Sequence, residues 1–266
     1  MSIIGSRQNP RVRRWRKLGE SRRARRIERR AMIEGLHLVA ACLDGGGRLQ
    51  TLIVSESGQS KREIAALAAR HGRPPIVLSD SLFAAIVDTE TPVGVAAEID
   101  LPERSFDPRD STACVFLDGV QDSGNVGAIL RSAAAFAVTD VVLGAGCADA
   151  WSPRALRAGM GAQFALRIAS SADLIQAVAR FGGTLICTVA RDGLPLEQAD
   201  LRGRVGWIFG GEGQGVSPAL AAAATQGVTI PMPGSGESLN VAAAAAICFY
   251  ERARQLGASG SAASRG

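Results

Sequence analysis

After residue 112 the chain alternates short β-rich runs with helical patterns, and no other feature narrows the possible folds as far. Runs at 113–117, 140–143, 165–168, 184–189, 205–209 and 228–231 are strand-like, and helical spacings lie between several of them, as at 128–137 and 172–181. Strands separated by helices pair in parallel, so this order predicts a mostly parallel sheet with helices on both faces. In such a sheet ligands sit beyond the carboxyl ends of the strands, so the chemistry is to be sought in the loop after each strand.

The first half is different. Apolar runs at 50–55, 75–78 and 93–97 alternate with helical patterns such as 61–70, which predicts a small α/β domain over residues 1–100. Pro102, Pro108 and several charges mark 101–112 as a linker, 113–257 forms the second domain, and the Ser, Ala and Gly of 258–266 read as a disordered tail.

Charge is placed unevenly. Residues 7–30 hold twelve Arg or Lys against Glu20 and Glu28, a net +10, and since the whole chain carries +5 the remainder is −5. An acidic body with a basic arm suits a polyanionic partner, because Arg and Lys displace counterions from phosphates. Trp15, Leu18, Ile27 and Ala31 recur at helical spacing and give the arm an apolar side. Arg11, Arg14, Arg22, Arg23, Arg25 and Arg26 are the candidate contacts to nucleic acid. A solvated helix face and an Arg-rich transit peptide are the other readings of the same charges.

Cys42, Cys114, Cys147, Cys187 and Cys248 lie far apart with no C-x-x-C pair, so no metal site and no disulfide framework is expected, and a reducing cytoplasm fits. The longest purely apolar stretch, 241–250, is too short to span a bilayer. His37 and His71, the two histidines, both fall in the first half, which argues against a His-based triad.

Three loops come directly after strands and carry polar residues among glycines. The first, 118–127, contains Gly124, Asn125 and Gly127 and leads into a helix bearing Arg131 on its second turn, where an anion is favoured. An Asn-capped helix with Arg131 in water is the plain alternative. The second, 210–215, sets Glu212 among four glycines; it matches neither G-x-G-x-x-G nor the nucleoside triphosphate loop, and it suggests backbone pressed against a ligand. The third runs from Ile230 to Asn240 into an alanine-rich helix that Ser238 or Asn240 could cap, and that suits a core or a subunit interface.

Together these pieces resemble the SpoU/TrmH family of the SPOUT superfamily, the α/β-knot RNA ribose 2′-O-methyltransferases. The matching residues are Asn125 to Arg131 (N-x-G-x-x-x-R), Gly210 to Gly215 (G-x-E-x-x-G), Ile230 to Met232 and Ser238 to Val241. Gln8 to Pro10, Glu34, Gly35 and Thr91 to Val95 are similar to that family's substrate-binding domain. Asp122-Ser123 stands where Asp-Pro is usual, and Ala242 where Ser is commoner.

The resemblance implies a trefoil-knotted, mostly parallel sheet, a small N-terminal α/β domain, a homodimer and S-adenosylmethionine as methyl donor. It implies that Gly210, Gly211, Gly215, Ile230, Met232 and Leu239 hold the donor. It implies that Arg131 activates the ribose hydroxyl, that Glu212 orients Arg131, and that Asn125, Ser238 and Asn240 bind the ribose or its phosphate. Arginine is ordinarily protonated above pH 12, so Arg131 acts either as a base with a much lowered pKa or as a cation that stabilises the alkoxide. Ribosomal RNA is the expected substrate, because a separate basic domain suits structured RNA. Transfer RNA, an inactive RNA-binding protein of the same fold, and a dinucleotide-dependent enzyme are the alternatives.

Overall fold

In the computed structural model, which describes residues 3–102, 106–234 and 238–263, the basic arm folds into two short helices. Asn9 caps α1 (Pro10–Glu20), its side chain accepting from the Arg11 amide at 2.9 Å, and Ser21 ends that helix and caps α2 (Arg22–Glu28). Next come β1 (Arg30–Glu34), α3 (Leu36–Asp44), β2 (Leu49–Ser55), α4 (Arg62–His71), β3 (Ile76–Leu78), α5 (Asp80–Ala84) and β4 (Val95–Asp100). The second half supplies β5 (Ala113–Asp118), α6 (Ser123–Ala135), β6 (Asp140–Leu143), α7 (Pro153–Gly159), β7 (Arg167–Ser170), α8 (Leu174–Ala179), β8 (Thr184–Thr188), β9 (Leu194–Pro195), β10 (Val205–Gly210), α9 (Pro218–Ala223), β11 (Gln226–Thr229) and α10 (Val241–Ala263). Of the stretch expected as a linker, 103–105 lie outside the described residues, and Pro108–Asp110 forms a short 3-10 turn capped by Asp107. Helix α10 reaches into the segment expected to be disordered, and 264–266 lie outside the described residues.

Contacts divide the chain into two compact units, the first comprising Met1–Glu103 together with Asp149–Phe164. Its sheet has the order β1-β4-β2-β3, with β4 antiparallel to both neighbours and β3 parallel to β2. The period-2 alternation of strands explains how both faces are covered. Met32, Ile53 and Ala96 pack with Val12, Trp15 and Leu18 of α1, while Ile33, Leu52, Val54, Val95 and Ala97 pack with Val39 of α3 and Leu67 of α4. Leu156 and Phe164 join the second cluster. Buried Gln163 holds their segment, donating to the Ala150 and Ala155 carbonyls at 3.2 and 3.0 Å.

On β4, Glu98 shares the face of Ala96 and is only 2% exposed. Trp15 Nε1 donates to it at 2.8 Å, Arg14 Nη2 at 2.8 Å, and Arg30 Nη1 also reaches it. Burial pushes the carboxyl upward, but the Arg30, Trp15 and Arg14 donors outweigh it and hold the group below its ordinary range. Arg25 is 4% exposed, with Nε on Asp149 at 2.7 Å and Nη1 on the Leu18 and Gly19 carbonyls at 2.6 and 2.9 Å. Of the expected RNA contacts, Arg25 is therefore buried and paired with Asp149, and Arg14 is half-buried and paired with Glu28 and Glu98. Ile27, expected on the apolar side, is exposed, because Ser21 breaks the arm and Arg25 takes the inward position on α2.

The second unit, Arg104–Ala148 with Ala165–Gly266, contains a seven-stranded sheet in the order β7-β6-β5-β10-β8-β11-β9, and all of its pairings are parallel. Central strands β5 and β10 are buried almost throughout, as continuous apolar runs covered on both faces should be. Ile208 of β10 packs with Phe116, Val178 and Phe181, while Trp207 and Phe209 stack on each other and meet Phe249 of α10 edge-on. Among the described residues no helix is long and apolar enough to cross a membrane.

Candidate active site

The carboxyl ends of β5 and β10 are adjacent, Gly210 lying opposite Asp118 in the register. Asp118 Oδ2 accepts from the Ser217 amide at 2.8 Å, which ties the loop after β10 to the end of β5. After β5 the chain turns into α6, and Asp122 is its cap, accepting from the Asn125 amide at 2.8 Å. Asn125 therefore sits in the first turn and not at the cap, which frees its side chain for other contacts. Helix α6 begins at Ser123, so Arg131 falls on the third turn, one turn later than expected. Arg131 is exposed, and its guanidinium takes part in no hydrogen bond or ion pair among the described residues.

The glycine loop folds back on itself. The Gly215 amide donates to the Gly211 carbonyl at 3.0 Å, and Gly215 has φ +67°. A Cβ on Gly210 would lie 1.9 Å from the Gly215 carbonyl carbon, and one on Gly211 would lie 2.4 Å from the Gly119 oxygen. Those two glycines are required by backbone meeting backbone, whatever ligand the loop also meets. The fold-back projects Glu212 outward, exposed, toward α6.

One chain of amides joins the three loops. Asn240 Oδ1 caps α10 by accepting from the Ala242 and Ala243 amides at 2.9 and 3.3 Å, and its Nδ2 donates to Asn125 Oδ1 at 3.0 Å. Asn125 Nδ2 donates in turn to Glu212 Oε1 at 2.6 Å. A short bond to a charged acceptor is among the stronger kinds. The expected Glu212–Arg131 pair is not formed; the carboxylate holds Asn125 instead. Ser238 is exposed in the third loop, of which 235–237 lie outside the described residues.

Beside this chain a cavity of about 600 Å³ opens at the carboxyl ends of β8, β10 and β11. All six residues expected to hold a donor line it: Gly210, Gly211, Gly215, Ile230, Met232 and Leu239. Glu212, Ser238 and Asn240 line it as well, whereas Asn125 and Arg131 do not. Sequence reasoning missed Thr188, Val189 and Ala190, which also line it. Their signal was available, since they end a strand already identified and ligands gather at such ends. Leu239, a large apolar side chain, is 38% exposed here.

The expected RNA contacts separate by exposure. Arg11, Arg22, Arg23 and Arg26 are exposed on α1 and α2, Arg14 is half-buried against Glu98, and Arg25 is buried against Asp149.

Comparison with known proteins agrees with this geometry. Residues 112–250 match the family described as the SpoU rRNA Methylase family, and residues 9–97 match the MRM3-like substrate binding domain. The 23S rRNA (guanosine(2553)-2′-O)-methyltransferase RlmP of Bacillus subtilis (strain 168) is 31% identical over 252 residues, 94% of this chain and 98% of that one. The 23S rRNA (uridine(2479)-2′-O)-methyltransferase of Streptomyces viridochromogenes is 26% identical, covering 93% of this chain and 91% of its own. Among solved structures, the AdoMet-bound rRNA methyltransferase from Sinorhizobium meliloti superposes with a TM-score of 0.82 at 29% identity, covering 96% of this chain and 98% of that chain. The SpoU methyltransferase AviRb from Streptomyces viridochromogenes, in complex with the cofactor AdoMet, gives 0.83 at 25% identity over 93% and 98%.

Proposed function

Because the chain belongs to the SpoU rRNA methylase family, we propose that it transfers a methyl group from S-adenosylmethionine to a ribose 2′-hydroxyl, in ribosomal RNA ahead of transfer RNA. The observation that carries this reading is the cavity at the strand ends whose walls include two members, Glu212 and Asn240, of the amide chain joining the three loops.

The residues present fit the donor. A cavity of about 600 Å³ is of the size of ordinary small-molecule sites. Ile230, Met232 and Leu239 offer apolar surface for a flat ring, and the exposed Leu239 side chain gains by being covered. Backbone groups of 210–216 offer hydrogen bonds beside it. When bound, the sulfonium supplies an activated methyl group.

What the chain itself contributes is placement and charge. Arg131, exposed and without an internal partner, is the cation that stabilises negative charge on the ribose oxygen as its proton leaves and that grips a neighbouring phosphate. Asn125, held between Glu212 and Asn240, presents its remaining donor and acceptor capacity in a fixed orientation. Asn240 acts mainly by holding Asn125 and the start of α10, since both atoms of its amide are engaged. Ser238 is the hydroxyl available to the ribose or phosphate.

In this reading residues 1–100 bind RNA through exposed Arg11, Arg22, Arg23 and Arg26, and 113–257 carry the transfer. Helix α10 exposes Ala243, Ile247 and Tyr250 about one turn apart, an apolar stripe suited to a second copy of the chain. Strand order out of chain sequence, with β10 inserted between β5 and β8, is compatible with a trefoil-knotted path. Five free, buried cysteines suit a reducing, cytoplasmic setting.

The deciding experiment is transfer of radiolabelled methyl from S-adenosylmethionine to ribosomal RNA and, separately, transfer RNA from cells lacking the protein, followed by alkaline hydrolysis. Label in alkali-resistant dinucleotides is expected from the ribosomal pool. Label only in the transfer RNA pool moves the substrate, and label released as mononucleotides removes the ribose as target.

A further inference from the structure

The first unit contains another cavity, of about 160 Å³, that methyl transfer does not use. Its apolar wall comes from Met32 and Ile33 of β1, Leu38 of α3, Ile86 and Val87 after α5, and Leu156 of α7. Void spaces of this volume between apolar walls accommodate a flat ring; an engineered cavity of about 150 Å³ takes benzene.

Polar groups are set into that wall at two points. Arg157 donates through Nη2 to Asp88 at 2.7 Å, while its Nη1 is buried with no partner. Glu34, one of the residues singled out in the sequence, accepts from the Asp88 amide at 3.1 Å and from the Thr89 hydroxyl, and each carboxylate oxygen keeps a further lone pair. Arg157 and Glu34 both line the cavity, so the polar edge of a ring seated there would meet a cationic side chain and a carboxylate acceptor. A nucleobase has the required form: a flat apolar body with acceptors and donors on its edge.

The mouth supplies charge. Arg16, Glu20 and Ala85 border both this cavity and a neighbouring pocket of about 310 Å³, whose walls include Arg7 and Arg13. Arg16 is paired with Glu20, whereas the Arg7 and Arg13 guanidinium groups take part in no ion pair or side-chain hydrogen bond among the described residues. Two unpaired guanidinium groups beside a base-sized cavity are the chemistry of a phosphate contact.

We propose that the two pockets form a binding site for one unstacked nucleotide of the RNA, its base in the smaller cavity and its phosphate between Arg7 and Arg13. The polymer's identity rests on the methyltransferase reading; the nucleotide chemistry rests on the cavity.

The test titrates the full chain with each of the four nucleoside 5′-monophosphates while following the methyl resonances of Met32, Ile33, Leu38, Ile86 and Leu156. At least one nucleotide is expected to shift these signals, and Arg157→Met is expected to weaken that binding about tenfold. In transfer assays Ala85→Trp, at the exposed rim, should raise KM for RNA about tenfold and leave kcat and donor affinity within about twofold. The proposal is overturned if none of the four nucleotides moves those methyls, or if Ala85→Trp keeps the original KM. If the unaltered protein transfers no methyl to any RNA, the methyltransferase function fails, and the mononucleotide titration still decides this site.

Discussion

Both units gather polar and charged side chains around a strand, yet the two gatherings differ in what surrounds them. Around Glu98 in the first unit the carboxylate is buried, three side chains donate to it, and Trp15 and Leu18 close the space above. Around Glu212 in the second unit the carboxylate is exposed, one amide holds it, and a cavity opens alongside. Desolvated and fully partnered charge locks a fold, because removing one member strands the others out of water. Exposed polar groups linked in a row contribute little stability and keep capacity for a ligand. Residue type alone does not separate the two, since each contains Glu and donors to it.

The largest effect that would sharpen this contrast is on stability. Glu98→Ala should cost about 2–3 kcal/mol in denaturant unfolding, because buried Trp15 Nε1 is left without its acceptor while Arg14 and Arg30 keep only Glu28 and Asp100. A loss below about 1 kcal/mol would break the comparison. Acid tests the same group. Its folded pKa is depressed, so its contribution is present above the unfolded value of about 4.3 and is lost as pH falls through the folded value. Unfolding midpoints should therefore fall more steeply below about pH 4 in the unaltered chain than in Glu98→Gln.

Arg131→Ala should lower kcat by about a hundredfold to a thousandfold while unfolding and donor affinity hold, as a transition-state cation requires. Near-normal turnover would remove Arg131 from the mechanism. Asn125→Ala should cost about thirtyfold in kcat, roughly the 2 kcal/mol of a hydrogen bond to a charged group, and should couple with Glu212→Gln in a double-mutant cycle. Additive losses would show that the Asn125–Glu212 bond is incidental.

The smallest effect divides the arm. Reversing exposed Arg23 and Arg26 to Glu should weaken RNA binding by about tenfold, flatten its salt dependence and leave stability within about 0.5 kcal/mol. Arg25→Ala should instead lower stability. Equal behaviour of Arg25 and Arg23 in RNA binding would mean that burial does not sort these cations.

Much of the architecture was legible because its signals are local. Each of the six apolar runs after residue 112 falls on a strand, though β7 and β11 are displaced by two residues from the runs at 165–168 and 228–231, and the loops after them hold the cavity, since periodicity and loop chemistry are written within a few neighbouring residues. Strand β1 was missed because it begins at Arg30, inside the basic run, and β9 because two residues carry no pattern. The membership of Asp149–Phe164 in the first unit was hidden for another reason: Gln163 and Phe164 look like any core pair until the surface they meet is known.

The sequence by itself determined the class of fold, the three loops and the residues able to do chemistry there, because strand period, glycine placement and charge are properties of short segments. Only the tertiary structure decided which partner each polar group takes. Arg25 met Asp149, Arg14 met Glu98, Glu212 met Asn125 rather than Arg131, and Gly210 proved to be glycine because Gly215 lies against it. Such choices join residues far apart in the chain, and they depend on burial and geometry that exist only once both sheets have formed.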